Sequence, residues 1–490
     1  MTDRSSGAAL RRLLCVVATM AACLALAACG GGDDGSGDKG ADSNVNAGNW
    51  TLAGAAKPYK GTELRILDEV TDLQPSFKPL IAEFEKETGI KVSYELEGHL
   101  DVIRKGETDL LSGRGAYDGV MIHSTQKGRV LAADAVTPIE ELLDNEKLKD
   151  PNVNFDDFIQ PLADDLTMFG DERIAFPNWN YNTIWWGRKD LMENADEKAA
   201  FEKEFGRELA APTTLQEMRD ISKFFTRKKG EKLAGETLDR EFPGFVMEGA
   251  QAGAVFGDVR YSFMNQFGGD FWDDSGKPSI DSPENVEAMK LYQELWDYSP
   301  AGRAEMSLID VPVVMGEGRA ATGIVYSDFV FSVDKPGKSK YAGKFAYAPV
   351  PANADGDEDD RTVATEPSMI IISKESKNPE AMFLFLQWMV SKETQDRWFE
   401  GGVGMPVRKD SLNHPTVTGG ERAEFFKAAN GSLENGAAFP AVPKLFEIID
   451  EVNKMQQSVG QGQDPAAALA DIQGKLADIC GDSCIVQGGD

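Results

Sequence analysis

Cysteine is missing from everything between Cys29 and Cys480, and the chain of 490 residues holds only three histidines, His99, His123 and His414. No ligand-type residues fall at zinc spacing, which speaks against a cytosolic redox or zinc protein. Basic residues are scarce as well: 51 Lys+Arg stand against 81 Asp+Glu, a formal net charge of −30. Such a surface repels nucleic acid and anionic lipid headgroups and keeps the protein in solution. HExxH, GxSxG and P-loop motifs are absent, so nothing argues for zinc, serine or phosphoryl chemistry. There is no internal repeat and no second apolar run of membrane length. Gly35, Gly37 and Gly40 match GxGxxG, but no strand precedes them and no helix follows, so chance in a glycine-rich stretch accounts for the match. No cofactor and no metal are expected.

What is present begins with residues 1–28. Arg4, Arg11 and Arg12 precede an apolar run from Leu13 to Ala28, the layout of a secretory signal and too short for a comfortable membrane span. The run ends Leu26-Ala27-Ala28-Cys29, which resembles the bacterial lipoprotein box. That resemblance implies cleavage before Cys29 and acylation of its thiol. Residues 29–56, rich in Gly, Ser and Asp, read as a flexible tether. At the other end, Cys480 and Cys484 are spaced for a structural disulfide in an oxidising compartment rather than for CxxC redox chemistry.

With 41% hydrophobic residues the chain can bury a sizeable core, as two or three domains or one large two-lobed α/β unit. Folded sequence is expected from about Lys57. Leu64 and Ile66 mark a strand, and Phe77, Leu80, Ile81 and Phe84 then fall on one helical face that Gly89 terminates. Ile90, Val92, Tyr94 and Leu96 alternate as a strand does, and after another helix Val120 and Ile122 mark a third strand. The order β-α-β-α-β predicts a parallel sheet whose strand ends, Asp68-Glu69, Glu97–His99 and His123–Thr125, face a ligand. A second α/β region opens near Ile174, with helices over 214–227 and 283–298. SMIIIS (368–373) reads as a buried strand, and Asn378-Pro379 starts an apolar helix running to about Phe399.

Taken in order, several phrases resemble the family 1 extracellular solute-binding proteins over nearly all of residues 60–480. They are FEKETGIKV (84–92), YDGVMIH (117–123), FPNWNYNTIWWGRKDL (176–191), APTTLQEM (211–218), FGGDFWDDSGKPSIDSPENVEAMKLYQEL (267–295), MGEGRAATG (315–323), SKNPEAMFLFLQWMVSKETQDRW (376–398) and GGVGMPVR (401–408). The resemblance implies two α/β lobes of the periplasmic-binding-protein fold (type II-like), with a ligand enclosed between them. The first lobe is expected over 57–168 plus 311–375 and the second over 169–310 plus 376–490. It also implies a substrate-binding component of an ABC importer, not an enzyme, that takes a sugar or polyol to permease subunits. The protein would be a monomer outside the cytoplasm, touching the membrane through its lipid anchor only. A ligand-presenting sensor lipoprotein is the alternative, with a glycoside-processing enzyme further behind.

Sugars offer hydroxyls to hydrogen-bonding groups and apolar faces to aromatic rings, so such a cleft wants carboxylates, amides and Arg among Trp and Tyr. By position in the family's motifs, Asn180 and Tyr181 are the contacts at the crossing between lobes. Glu69, His123 and Thr125 follow in the first lobe, with Tyr326 and Asp328. Glu248, Gly268, Gly269 and Asp270 belong to the second. Glu366 and Arg408 are further candidates, each equally readable as a surface or hinge ion pair. Trp179, Trp185 and Trp186 are core residues or platforms. Many family members carry Trp where YSDF (326–329) stands here, which weakens the expectation of a stacked disaccharide.

Overall fold

The structure, a computed structural model, describes residues 50–71, 73–180, 182–250, 263–353, 363–364, 368–400, 404–433 and 436–486. Residues 1–28, read above as a secretory signal, and Cys29, Tyr181 and Glu366 lie outside them. In chain order, the strands of the two principal sheets are β1 (Glu63–Glu69), β2 (Lys91–Glu97), β3 (Gly119–His123), β4 (Val136–Thr137), β5 (Ala175–Trp179), β6 (Thr183–Arg188), β7 (Phe245–Val246), β8 (Thr322–Tyr326), β9 (Phe345–Pro349) and β10 (Ser368–Ser373).

The first sheet has the order β2-β1-β3-β10-β4, with β5 also paired to β10. β1 runs parallel to β2 and β3, as the β-α-β-α-β order predicts, and β10 is antiparallel to its neighbours. Between β1 and β2 lies α1 (Gln74–Thr88), whose Phe77, Leu80, Ile81 and Phe84 are all buried. Gly89 ends it at φ 74°, a left-handed position that glycine takes without steric cost. Then come α2 (His99–Ser112) and α3 (Ser124–Ala132). Every residue of β10 is buried, which is why its sequence is a continuous apolar run rather than an alternating one.

The second sheet has the order β7-β8-β6-β9. Trp185 and Trp186 on β6 point to opposite faces, Trp185 into one apolar core and Trp186 into the other, and both are wholly buried. They are core residues. A Cβ on Gly187 would lie 2.2 Å from the Trp185 ring, so only glycine there lets the indole fold back. Helices α4 (Leu215–Phe225) and α5 (Pro283–Asp297) start on side-chain caps from Thr214 and Ser282, which satisfy backbone N–H groups the first turn leaves bare.

Three expectations need correction. Ordered chain starts before Lys57: Thr51 caps a short helix over Leu52–Ala55, and Ala56 is fully buried. The apolar helix breaks in two, α6 (Pro379–Met389) and a second over Lys392–Glu400. Ser391 sits at the break and accepts the Thr394 N–H through its hydroxyl. The expected lobe division also shifts, because β8 and β9 hydrogen-bond to β6 in the second sheet, not to the first. Conversely, α6 packs on the first sheet, Phe385 edge-on to Phe84 and Phe383 against Phe176. Strand pairing decides this, and it joins residues more than 100 positions apart. The C-terminal region supplies α7 (Leu445–Gly460) and α8 (Pro465–Cys480) to the second core. Cys480 is paired with Cys484, Cα–Cα 4.5 Å.

Candidate ligand-binding site

Parallel strands end together, so Glu69, Glu97 and His123 share one edge of the first sheet. β10 starts at that edge, with Ser368 opposite both His123 and Trp179. In the second sheet Tyr326 ends β8 opposite Thr183, and Glu248 follows β7 by two residues. Only residues 180–182 separate Trp179 from Thr183, a reach of at most about 14 Å. The two polar edges therefore converge where the chain crosses from sheet to sheet.

On the first edge the ionisable groups satisfy one another. The His123 ring, 1% exposed, places Nε2 2.9 Å from Glu69 Oε2. The same ring accepts the Gln126 N–H as the cap of α3. A neutral imidazole has one donor and one acceptor, so the proton sits on Nε2 and is donated to Glu69. His99 at the start of α2 reaches Glu69 with Nδ1 at 3.1 Å, and the two imidazole rings are 5.1 Å apart. Burial pushes the Glu69 carboxyl up, but the bonds from His123 and His99 outweigh it and bring it down to about 2.

Ligand atoms of Glu69, His99 and His123 all lie within 4.8 Å of one another, a spacing at which two imidazoles and a carboxylate could hold a divalent cation. The capped ring opposes that use. A metal on Nε2 would displace its proton while the other nitrogen is already an acceptor facing an N–H. The triad is better described as a hydrogen-bonded unit that holds Glu69 as an anion.

Asp68, beside it, goes the other way. It is fully buried, and burial raises its carboxyl to about 6 against the bonds it accepts. Those come from the Tyr94 hydroxyl, the Glu69 N–H at 2.8 Å and the Asn178 amide at 3.3 Å. Since Asn178 is on β5, Asp68 ties the strand that leads into the crossing to β1.

The crossing segment is built differently. Asn180 donates through Nδ2 to the Pro406 carbonyl at 3.1 Å, and Asn182 likewise to Ala429 at 2.7 Å. Both residues are wholly buried, and among the described residues their Oδ1 atoms, with Thr183 Oγ1 and Ser368 Oγ, have no hydrogen-bond partner. Each amide is thus held by its donor end and keeps an acceptor for an O–H or N–H group. Of the other expected contacts, Thr125 is buried in the first turn of α3, Glu248 is 3% exposed, and Tyr326 and Asp328 stand at the end of β8.

Two expectations fall elsewhere. Gly268, Gly269 and Asp270 line a depression of about 480 Å³ with Trp272, Asp273 and Glu284, and none of the edge residues lines it. Gly269 is required there by packing, since a Cβ would meet Asn285 Oδ1 at 2.1 Å. Arg408, readable as a ligand contact or an ion pair, has its guanidinium 2.9 Å from Asp410 and 3.2 Å from Asp157, the geometry of the ion pair. His99 and Asp68 were expected at the ligand-facing strand ends but not among the individual contacts, and Asn182 was not singled out. A polar strand-end residue was the available signal for the first two. Nothing local marks the third.

The sequence profile of the family described as bacterial extracellular solute-binding protein matches residues 68–396. An erythritol/L-threitol-binding protein of Mycolicibacterium smegmatis is 24% identical over 463 residues, covering 91% of each chain. A solute-binding protein of an ABC transporter from Agrobacterium radiobacter, solved with ribitol, superposes with a TM-score of 0.70 at 24% identity, over 86% of this chain and all of its own. Maltose-bound MalE3 of T. maritima gives 0.67 at 20%, with the same coverage. The profile spans most of the folded sequence, including both sheet edges and the crossing, and the chain belongs to the bacterial extracellular solute-binding protein family.

Proposed function

We propose that the protein is the substrate-binding lipoprotein of an ABC importer and that it encloses a sugar or, more narrowly, a small polyol between two lobes. The observation that carries the ligand class is the chemistry of the converging edges. One side presents an anion fixed by two imidazoles, and the crossing presents amide and hydroxyl oxygens without partners. Acceptors of this kind suit a neutral ligand rich in O–H donors. The indoles of Trp179, Trp185 and Trp186 are packed in the apolar cores, so none of these three offers a stacking platform, which favours an open-chain polyol over a pyranose. The relatives' erythritol, threitol and ribitol point the same way.

The lobes in this reading are assigned by strand pairing. The first holds β1–β5, β10 and α6, and the second holds β6–β9 with α7 and α8. Closure around the ligand presents a shape to the permease, because only a ligand that binds one state better can shift the balance between them. Cys29 carries the lipid and Cys480–Cys484 is oxidised outside the cytoplasm. Calorimetric titration with erythritol, ribitol, mannitol, maltose and glucose tests the ligand class. Micromolar binding of a polyol is expected, near −8 kcal/mol; binding of maltose alone would overturn the polyol reading.

A further inference from the structure

Gly128 sits inside α3, where glycine is a poor helix former and calls for a packing reason. That reason lies in the chain leading into α7. A Cβ on Gly128 would stand 2.2 Å from the Val442 nitrogen, 2.3 Å from its carbonyl carbon and 2.6 Å from that of Ala441. Those are backbone atoms, which cannot swing aside as a side-chain tip can. α3 packs on β3 of the first sheet, and α7, which Val442 leads into, packs on α5 and α8, so an element of each lobe as assigned above touches here, backbone to backbone. The contact is close to the site: Gly128 is five residues beyond His123, about 7.5 Å along the helix.

The surroundings bear the same stamp. Ile103 on α2 packs against both cores. Arg129, next to Gly128, lies 3.5 Å from Glu107 on α2. Glu447 on α7 is close enough to act on the Glu107 charge in the opposite sense to Arg129. A cation on the first body therefore sits with one carboxylate from each side of the seam.

We propose that Gly128 is a closure stop: the absent side chain lets α3 and the segment before α7 meet, and that contact sets how closely the two lobes approach over the ligand. The inference rests on the two-lobed closing reading given above. Arg129 offsets the repulsion between Glu107 and Glu447 that the approach creates.

The test is the distance between spin labels on Leu100→Cys and Ile309→Cys, exposed positions flanking the first edge and the chain beside Glu248. Gly128→Ala should lengthen that distance at saturating ribitol and weaken ribitol binding about tenfold, and Gly128→Val should do more. A folded Gly128→Ala with an unchanged distance would overturn the stop. Should the glycine variants not fold, Arg129→Gln adds no bulk and should also lengthen the distance, with Glu447→Gln restoring it in the double variant; no change in either rejects the proposal. Failure of the closing reading is separately visible, as a native distance that ribitol, erythritol and maltose all leave unshortened.

Discussion

The edge of the first sheet and the crossing segment are both buried and polar, yet they handle their polar atoms in opposite ways. At the edge, Glu69, His99, His123, Asp68, Tyr94 and Asn178 bond to one another. At the crossing, Asn180 and Asn182 are anchored by their amide nitrogens and keep oxygens that find no partner among the described residues. The carboxylates of the edge are satisfied within it, so its residues carry stability as well as position. The crossing holds back acceptors, so its residues should matter more for ligand than for fold. A buried polar group without a partner costs free energy, and a hydroxyl ligand can return it.

Glu69→Ala should break this contrast most severely. It leaves two imidazoles facing a void and should cost about 3 kcal/mol in urea unfolding, with loss of ligand binding. The neighbouring carboxylates should next separate by pH. Glu69 titrates lower in the fold, at about 2, than its ordinary 4.5. Its stabilisation is complete above pH 4.5 and is lost as pH falls toward 2. Asp68 titrates higher, at about 6 instead of 3.8, so its ionisation opposes the fold and stability declines as pH rises from 3.8 through 6. Asp68→Asn should flatten that upper slope, worth about 3 kcal/mol, and leave the lower one, as read from unfolding midpoints across pH. Arg408→Ala sharpens the comparison from outside the site: it should cost about 1–2 kcal/mol and leave polyol affinity unchanged. Asn180→Ala should be mildest on stability, about 1 kcal/mol for one bond, while weakening polyol binding about tenfold in titration calorimetry.

Much of the first sheet was legible in the sequence. The apolar spacing of Phe77, Leu80, Ile81 and Phe84, the stop at Gly89 and the alternation through Val92 and Tyr94 are local patterns, and local sterics and burial enforce them. Glu69 and His123 lie at ends that parallel strands bring together, and their position in the family's motifs singled them out there. The partnership of His99 with them could not, since it depends on the angle at which α2 leaves β2. Arg408 stayed open between contact and ion pair for a related reason. An arginine in a motif says nothing of whether Asp157, 251 residues away, will take its charge.

The sequence by itself determined the elements, the order of the first three strands, the family and the acidic, thiol-poor character of the chain. All of these depend on residue type at short spacing. Only the tertiary structure decided which sheet receives β8 and β9, which carboxylate of the Asp68–Glu69 pair is held charged, and why residue 128 must lack a side chain. Those outcomes depend on which distant backbones and side chains come within hydrogen-bonding or van der Waals reach, and no short-range pattern encodes that distance.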